Sequence, residues 1–358
     1  MKDSIERIIK KVGRRRSCES DPQESKRIYP GKSYGSRKNI VSAQKLKRKL
    51  LEEYRGKEVE TVLDVEKIDN DYGSVLSIEK KYPVDWWSLQ DPCEQIMSDL
   101  QLIYGIGPVT EDQLKKNGYG SIEDLTEHPD WCDKVEHLMN EVNFESPGEA
   151  KRLISRWKPA SHPLNLSLAA LFEREDFAIL DIETLGLTHQ PIILFAVAEP
   201  GTKEMTVRQF LLKDIRQEPA ALLEFKRILE NKKAYITYNG KRFDIPYLNR
   251  RFNFYGLKVA LDGIHFDLYQ FARNRWSDQI PDCTLNTVER QKLGIRRDMD
   301  IPSELVPEFY KTYQNTGNPG PLLPLLQHNR QDVVSLQKLF SKLGTGFEED
   351  NCENKENY

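Results

Sequence analysis

Apolar positions between about residues 165 and 343 alternate between two spacings. Compact apolar runs at 176–182, 191–198, 205–211, 233–238 and 263–268 predict buried strands, and helix-spaced apolar positions at 218–231, 245–255, 284–293 and 322–342 predict helices. The second and third runs flank EPGTKE, a turn sequence that predicts an antiparallel hairpin. Three early strands followed by alternating helix and strand imply an α/β fold: a mixed sheet with helices on both faces. Upstream, residues 57–82 alternate in short apolar runs around KIDNDYG and read as a small β-hairpin. The acids of that loop lack calcium-loop spacing. Residues from about Pro92 to Trp157 read as helical, and Lys158 to His162, with flanking prolines, as a linker. Residues 4–12 read as one short basic amphipathic helix, and Gly13 to Ser42 as a disordered linker. The acidic tail GFEEDNCENKENY is expected to be disordered, and no internal repeats occur. The expected divisions are a basic arm (1–42), a small β-containing segment (43–90), a helical region (91–162), the α/β domain (163–343) and the tail (344–358).

Charge sharpens this picture. The net charge is −3, but residues 1–50 carry 16 Lys/Arg against 5 Asp/Glu. That arm is at +11 and the remainder at −14. A basic arm suits a polyanion such as nucleic acid, or is simply a solvated tail. The five cysteines are scattered and form no C-x-x-C pair, so neither a disulfide framework nor a zinc site is indicated. The N-terminus lacks an apolar stretch of signal-peptide length, and no run approaches the roughly 20 apolar residues of a membrane span. The expected setting is soluble and cytoplasmic, with no membrane partner.

The chemistry lies in the acids. The strand FAILDIET ends by placing Asp181 and Glu183 on one face, since side chains alternate along a strand. Two like charges so close repel and resist desolvation. Solvent at a strand end or a bound cation would relieve them. In AYITYNGKRFDIPYLNRR a strand ends at Tyr238, Asn239-Gly240 turns the chain, and Asp244 opens a helix, where alone it reads as a cap. In LLQHNRQDVVSLQKLF, Asp332 interrupts an apolar stripe, and His328 lies one turn earlier on the same face. Together these four acids could hold two hard cations about 3.5–4 Å apart, an arrangement that cleaves phosphodiesters.

The motifs DIET, NGKRFD followed by IPYL, and HNRQD resemble the three exonuclease motifs of the DEDD superfamily, also called DnaQ-like, which has a ribonuclease-H-like fold. The YprB-like family of predicted exonucleases is similar, and the middle motif is similar to that of family B DNA polymerase proofreading domains. The resemblance covers about residues 165–343. It implies that Asp181, Glu183, Asp244 and Asp332 bind two Mg2+ or Mn2+ ions, that Asn239 contacts the nucleic acid, and that nucleotides are removed from 3′ ends, of DNA more than RNA. The superfamily divides by a tyrosine four residues before the last Asp or a histidine five before it. Here His328 occupies the tyrosine's spacing, so its role as general base is open, against that of a helix-surface histidine. A non-catalytic adaptor on a nuclease fold and a structure-specific endonuclease are the rival expectations.

LQLIYGIGPVTEDQLKKNGYGSIEDL, residues 100–125, resembles a helix-hairpin-helix element. The resemblance implies phosphate contact through the turn of Gly105 and Gly107, with Lys115 and Lys116 as further contacts. Glu111 and Asp112 suit the helix dipole rather than a phosphate, so packing or protein contact is the alternative. FARNRW (271–276) reads as a loop anchored by its aromatics, His265 as structural, and Trp86 and Trp87 as packing residues.

Overall fold

A computed structural model of the chain describes residues 37–84, 86 and 92–356, with side chains at 39–84, 86 and 92–345. The segment at 4–12, most of the expected linker, and Trp87 lie outside the described residues. The chain divides into two units, Met1–Asp85 with Arg174–Phe340, and Trp86–Glu173 with Ser341–Tyr358.

The first unit is built on seven strands: β1 (Glu66–Asn70), β2 (Gly73–Pro83), β3 (Phe177–Thr184), β4 (Ile192–Pro200), β5 (Glu204–Leu211), β6 (Ala234–Thr237) and β7 (Ile264–Asp267). Their order is β1-β2-β5-β4-β3-β6-β7. The first four pairings along that order are antiparallel, whereas β3/β6 and β6/β7 are parallel. This is the ribonuclease-H-like mixed sheet expected from the sequence, with one extension. The hairpin β1–β2 is not a separate segment, because β2 pairs with β5 from Leu76↔Leu211 to Pro83↔Glu204. That second pairing joins the hairpin to the sheet, which sequence periodicity does not reveal.

Every residue of β4 from Ile192 to Ala198 is buried, so both faces of the sheet are covered. Strand parity sorts the two cores. Ala178, Leu180 and Ile182 of β3 share a cluster with Leu222 and Phe225 of α2 (Glu218–Leu229) and Tyr247, Leu248 and Phe252 of α3 (Asp244–Phe254). That naming leaves α1 for Arg37–Glu53, whose Gln44 and Lys47 bond Glu308. On the opposite face Phe177 meets Phe266 and Phe340, at ring-centroid separations of 6.0 and 5.7 Å.

Four helices differ from expectation, the first being α1, which begins at Arg37 inside the segment expected to be a disordered linker. FARNRW is helical within α4 (Leu268–Trp276), where Phe271 and Trp276 are buried. The buried positions Leu268, Phe271, Ala272 and Trp276 recur at spacings of three and four, which is helical and not loop-like. A further helix, α5 (Val306–Thr316), begins with Pro307 in its first turn and is ended by left-handed Gly317, φ 68°. The last helix, α6 (Leu322–Glu356), continues through the acidic segment expected to be a disordered tail.

The second unit is helical over the expected region, with Pro92–Met97, Pro108–Lys116, Cys132–Glu141 and Pro147–Trp157, and a fifth helix, Pro163–Ser167, lies in it although residues from 163 were expected in the α/β domain. Ile96, Leu100, Leu114, Ile122, Leu125, Val135 and Ile154 are buried, and Ile122 N donates to Met97 O (2.7 Å). Proline at the start of four of these five helices costs no hydrogen bond, because the first N–H groups have no intrahelical acceptor.

Candidate active site

Asp181 and Glu183 share the face of β3 that carries Phe177 and Ile179, hence the face covered by α6. The pairing with β4 shifts register between Glu183 and Thr184, from Glu183↔Leu194 to Thr184↔Ile192, as at bulges next to functional positions. Along α6 the stripe Asn329, Val333, Leu336 and Phe340 is buried against this face. Asn329 Nδ2 donates to Asp181 Oδ2 (2.6 Å), and Gln209 Nε2 of β5 donates to Asn329 Oδ1 (2.8 Å). This buried chain of amides aims one carboxylate oxygen of Asp181 and leaves the other for the cleft.

Asp244 reaches the same place by a different route. After β6, Asn239 takes a left-handed conformation (φ 62°), and its N–H donates to Asp267 Oδ1 (2.6 Å). Lys241 N donates to Asp267 Oδ2 (3.2 Å), so one buried carboxylate at the end of β7 clamps the whole turn. Burial raises the Asp267 pKa even against these donors. Gly240 is required: a Cβ there would lie 2.3 Å from Thr237 Oγ1. The turn delivers Asp244, itself buried, to the first position of α3.

These residues meet in a cleft of about 470 Å³ lined by Asp181, Glu183, Asp244, Asp332 and His328, together with Asn39 and Ser42 of α1, Tyr238, Asn239, Arg290, Arg297 and Asp300. Burial first, then the charges of Asp332, Glu183 and Asp244, push the Asp181 carboxyl well above its ordinary range, and Asn329 opposes them only in part. His328 Nε2 lies 3.6 Å from Glu183 Oε1 and 3.8 Å from Asp332 Oδ2. Burial disfavours its protonation, but Asp332, Asp300 and Glu183 outweigh that and raise its pKa. The histidine at the unusual spacing therefore faces the acids and is not a helix-surface group.

Arg297, which sequence reasoning missed, is the hub on the far side. Its Nε and Nη2 grip Glu289 (2.6 and 2.7 Å), and Nη2 also reaches Asp332 Oδ1 (2.5 Å). The Arg297 side chain is buried, and its ion pairs run to Glu289, Asp332 and Asp300. Among the described residues no three His, Cys, Asp or Glu side chains form a ready metal cage. One oxygen each of Asp332 and Asp181 is held instead by Arg297 and Asn329. The chemistry of the set nevertheless fits a hard divalent cation: all four donors are carboxylates, and their mutual repulsion is what such an ion relieves.

The other expected contacts lie in the second unit. Gly105 adopts φ +97° in the turn, and Gly107 precedes the helix Pro108–Lys116. Glu111 accepts from Leu100 N (3.2 Å) and pairs with Lys115 (2.8 Å), and Lys116 pairs with Asp112 (2.7 Å). Each lysine is thus engaged by a carboxylate one turn away. His265 is tied to Thr237 Oγ1 (2.7 Å) beneath the Asn239 turn.

Residues 178–344 match the family described as RNase_H_2, of the RNase_H superfamily. Over 210 residues the chain is 31% identical to the uncharacterized protein YprB of Bacillus subtilis, covering 57% of this chain and 50% of that protein. It is 31% identical over 146 residues to a DNA polymerase of Pyrococcus glycovorans, covering 32% of this chain and 19% of the polymerase. Among solved structures, the family B DNA polymerase of Pyrobaculum calidifontis aligns with a TM-score of 0.37 and 22% identity, over 47% of this chain and 24% of that one. The chain spans about half the length of the Bacillus relative and under a quarter of these polymerases. The match to an RNase_H-superfamily model agrees with the ribonuclease-H-like mixed sheet of the first unit. No described helix is long and apolar enough to cross a membrane.

Proposed function

We propose that this chain is a metal-dependent 3′→5′ exonuclease that hydrolyses phosphodiester bonds of nucleic acid. The observation that carries the reading is the convergence of four carboxylates from β3, α3 and α6 on one cleft, with His328 facing them. Asp181, Glu183, Asp244 and Asp332 would hold two Mg2+ or Mn2+ ions, which when bound supply Lewis acidity to the phosphate. Asn329 and Gln209 orient Asp181, and Arg297 orients Asp332. His328 Nε2 is directed into the cleft to take the proton of the attacking water. The leaving 3′ oxygen takes a proton from solvent.

DNA is the favoured substrate, as the names of the polymerase relatives suggest. A cleft of this volume, walled by α1 and the loop around Asp300, suits a chain end better than continuous duplex. Linear DNA labelled at its 5′ end should yield a ladder that shortens from the 3′ end, while circular single strands remain intact. Cutting of the circle would replace this reading with that of an endonuclease.

A further inference from the structure

The inner nitrogen of His328 has two competing partners. Nδ1 lies 3.2 Å from Asp300 Oδ1 and 3.2 Å from Arg297 Nη1. One nitrogen cannot serve both, because a carboxylate only accepts hydrogen bonds and a guanidinium only donates them. If Nδ1 carries the hydrogen, it donates to Asp300, and Nε2 presents a lone pair to the cleft. If Nδ1 is bare, it accepts from Arg297, and Nε2 carries the hydrogen instead. Only the first form of the neutral ring takes a proton from water. The contacts of Nε2, at 3.6 and 3.8 Å, are too long to be hydrogen bonds, so the choice is made on the Nδ1 side.

We propose that Asp300 is a positioning residue that selects the Nδ1–H form of His328 and so frees Nε2 to act as the base. The proposal rests on the hydrolytic reading of the cleft. Three features favour Asp300 over Arg297. Asp300 is fixed from its other side, where Asn286 Nδ2 donates to Oδ2 (2.5 Å), and the next residue, Ile301, is fully buried. Arg297 is already committed through Nε and Nη2 to Glu289 and Asp332. Its Nη1 also lies 3.6 Å from Asp300 Oδ1, so when His328 donates to Asp300 the two donors, 3.2 Å apart, can both turn their hydrogens to that one acceptor. In the other form Asp300 loses the histidine. Burial raises the Asp300 carboxyl, but His328, Arg297 and Asn286 outweigh it and keep it below its ordinary value, hence ionised and accepting.

The test reads the ring itself. The full chain would be prepared with 15N-labelled histidine, and the His328 signals, among six histidines, assigned with His328→Gln. At a pH where the imidazole is neutral, the wild type should show Nδ1 protonated and Nε2 bare. Asp300→Ala should invert that pattern, since Arg297 becomes the sole partner, and Asp300→Asn, which keeps an acceptor oxygen, should preserve it. Turnover should follow: kcat about 100-fold lower in Asp300→Ala with KM little changed, and largely recovered in Asp300→Asn. A wild-type ring protonated at Nε2, or an Asp300→Ala ring indistinguishable from wild type, overturns the proposal. If no substrate is cleaved by the wild type, the hydrolytic reading fails, and the ring signals still decide the role of Asp300.

Discussion

Replacing Arg251 with Met tests how the first unit holds α3, the helix that carries Asp244. Arg251 Nε donates to Glu218 Oε1 (2.7 Å) and Nη2 to Oε2, and both side chains are buried. Glu218 also accepts from Ile192 N and Tyr255 OH, each at 2.9 Å, so it ties α2 and α3 to the start of β4. Methionine retains the apolar stem and removes the charge with its hydrogen bonds to Glu218 and to His189 O. Losing one partner of a buried pair costs about 3–5 kcal/mol. Two considerations place this case near 3. The donors Ile192 N and Tyr255 OH remain, and the variant can neutralise Glu218 by binding a proton. At pH 7 that proton costs about 3.7 kcal/mol for a carboxyl of ordinary pKa near 4.3, which is a ceiling on the charge penalty. At pH 5 the ceiling falls to about 1 kcal/mol. Burial already raises the Glu218 pKa in the wild type, and losing Arg251 raises it further. A raised folded-state pKa gives stability that is present at low pH and lost as pH rises, so the deficit should grow from pH 5 to pH 7. Hydrogen exchange at the amides of β4 and α3 reports the first unit alone, and should show a loss of about 3 kcal/mol at pH 7 and markedly less at pH 5. A loss under 1 kcal/mol at pH 7, or one independent of pH, would show that Glu218 does not depend on Arg251 for its charge.

Other outcomes follow from the same geometry. Asp181→Asn should stabilise the metal-free protein by about 0.5–2 kcal/mol in thermal melts while abolishing cleavage, because it removes one of four mutually repelling charges. In wild type without divalent metal, the raised Asp181 carboxyl means stability falls as pH climbs from its ordinary value of 3.8 through the raised one. Mg2+ or Mn2+ should flatten that decline, and a melt unaffected by either ion would contradict it. Gly240→Ala forces a Cβ against Thr237 and should cost about 1–3 kcal/mol, with loss of activity as the Asp244 turn shifts. Lys115→Ala and Lys116→Ala should leave the salt dependence of nucleic-acid binding unchanged, since both lysines are paired; a slope smaller by about 1 per lysine would show direct phosphate contact.

The five strands of the α/β domain were legible because each is a compact apolar run, and the acids of β3 because strand parity fixes their face. Asp244 and Asp332 were legible from motif spacing. What escaped were the groups that act through tertiary proximity. Arg297, Asp300 and Asp267 come from a loop or a strand end, where no periodicity marks them. Asn329 did leave a signal: it lies four and seven residues before Val333 and Leu336, a polar group within an apolar stripe. The helix α1 was obscured by six Lys/Arg among residues 37–50, although Ala43 and Leu50 are buried.

Whether the four carboxylates form a hydrolytic centre is decided by cleavage itself. Wild type and Asp332→Ala would be incubated with 5′-labelled single-stranded DNA, double-stranded DNA and RNA, in Mg2+, in Mn2+ and in EDTA. Shortening that needs the metal and disappears in Asp332→Ala, with hydrogen exchange showing the fold intact, is the predicted result. Uncut substrate in every lane while the wild type still binds it, or undiminished cleavage by Asp332→Ala, would contradict the account.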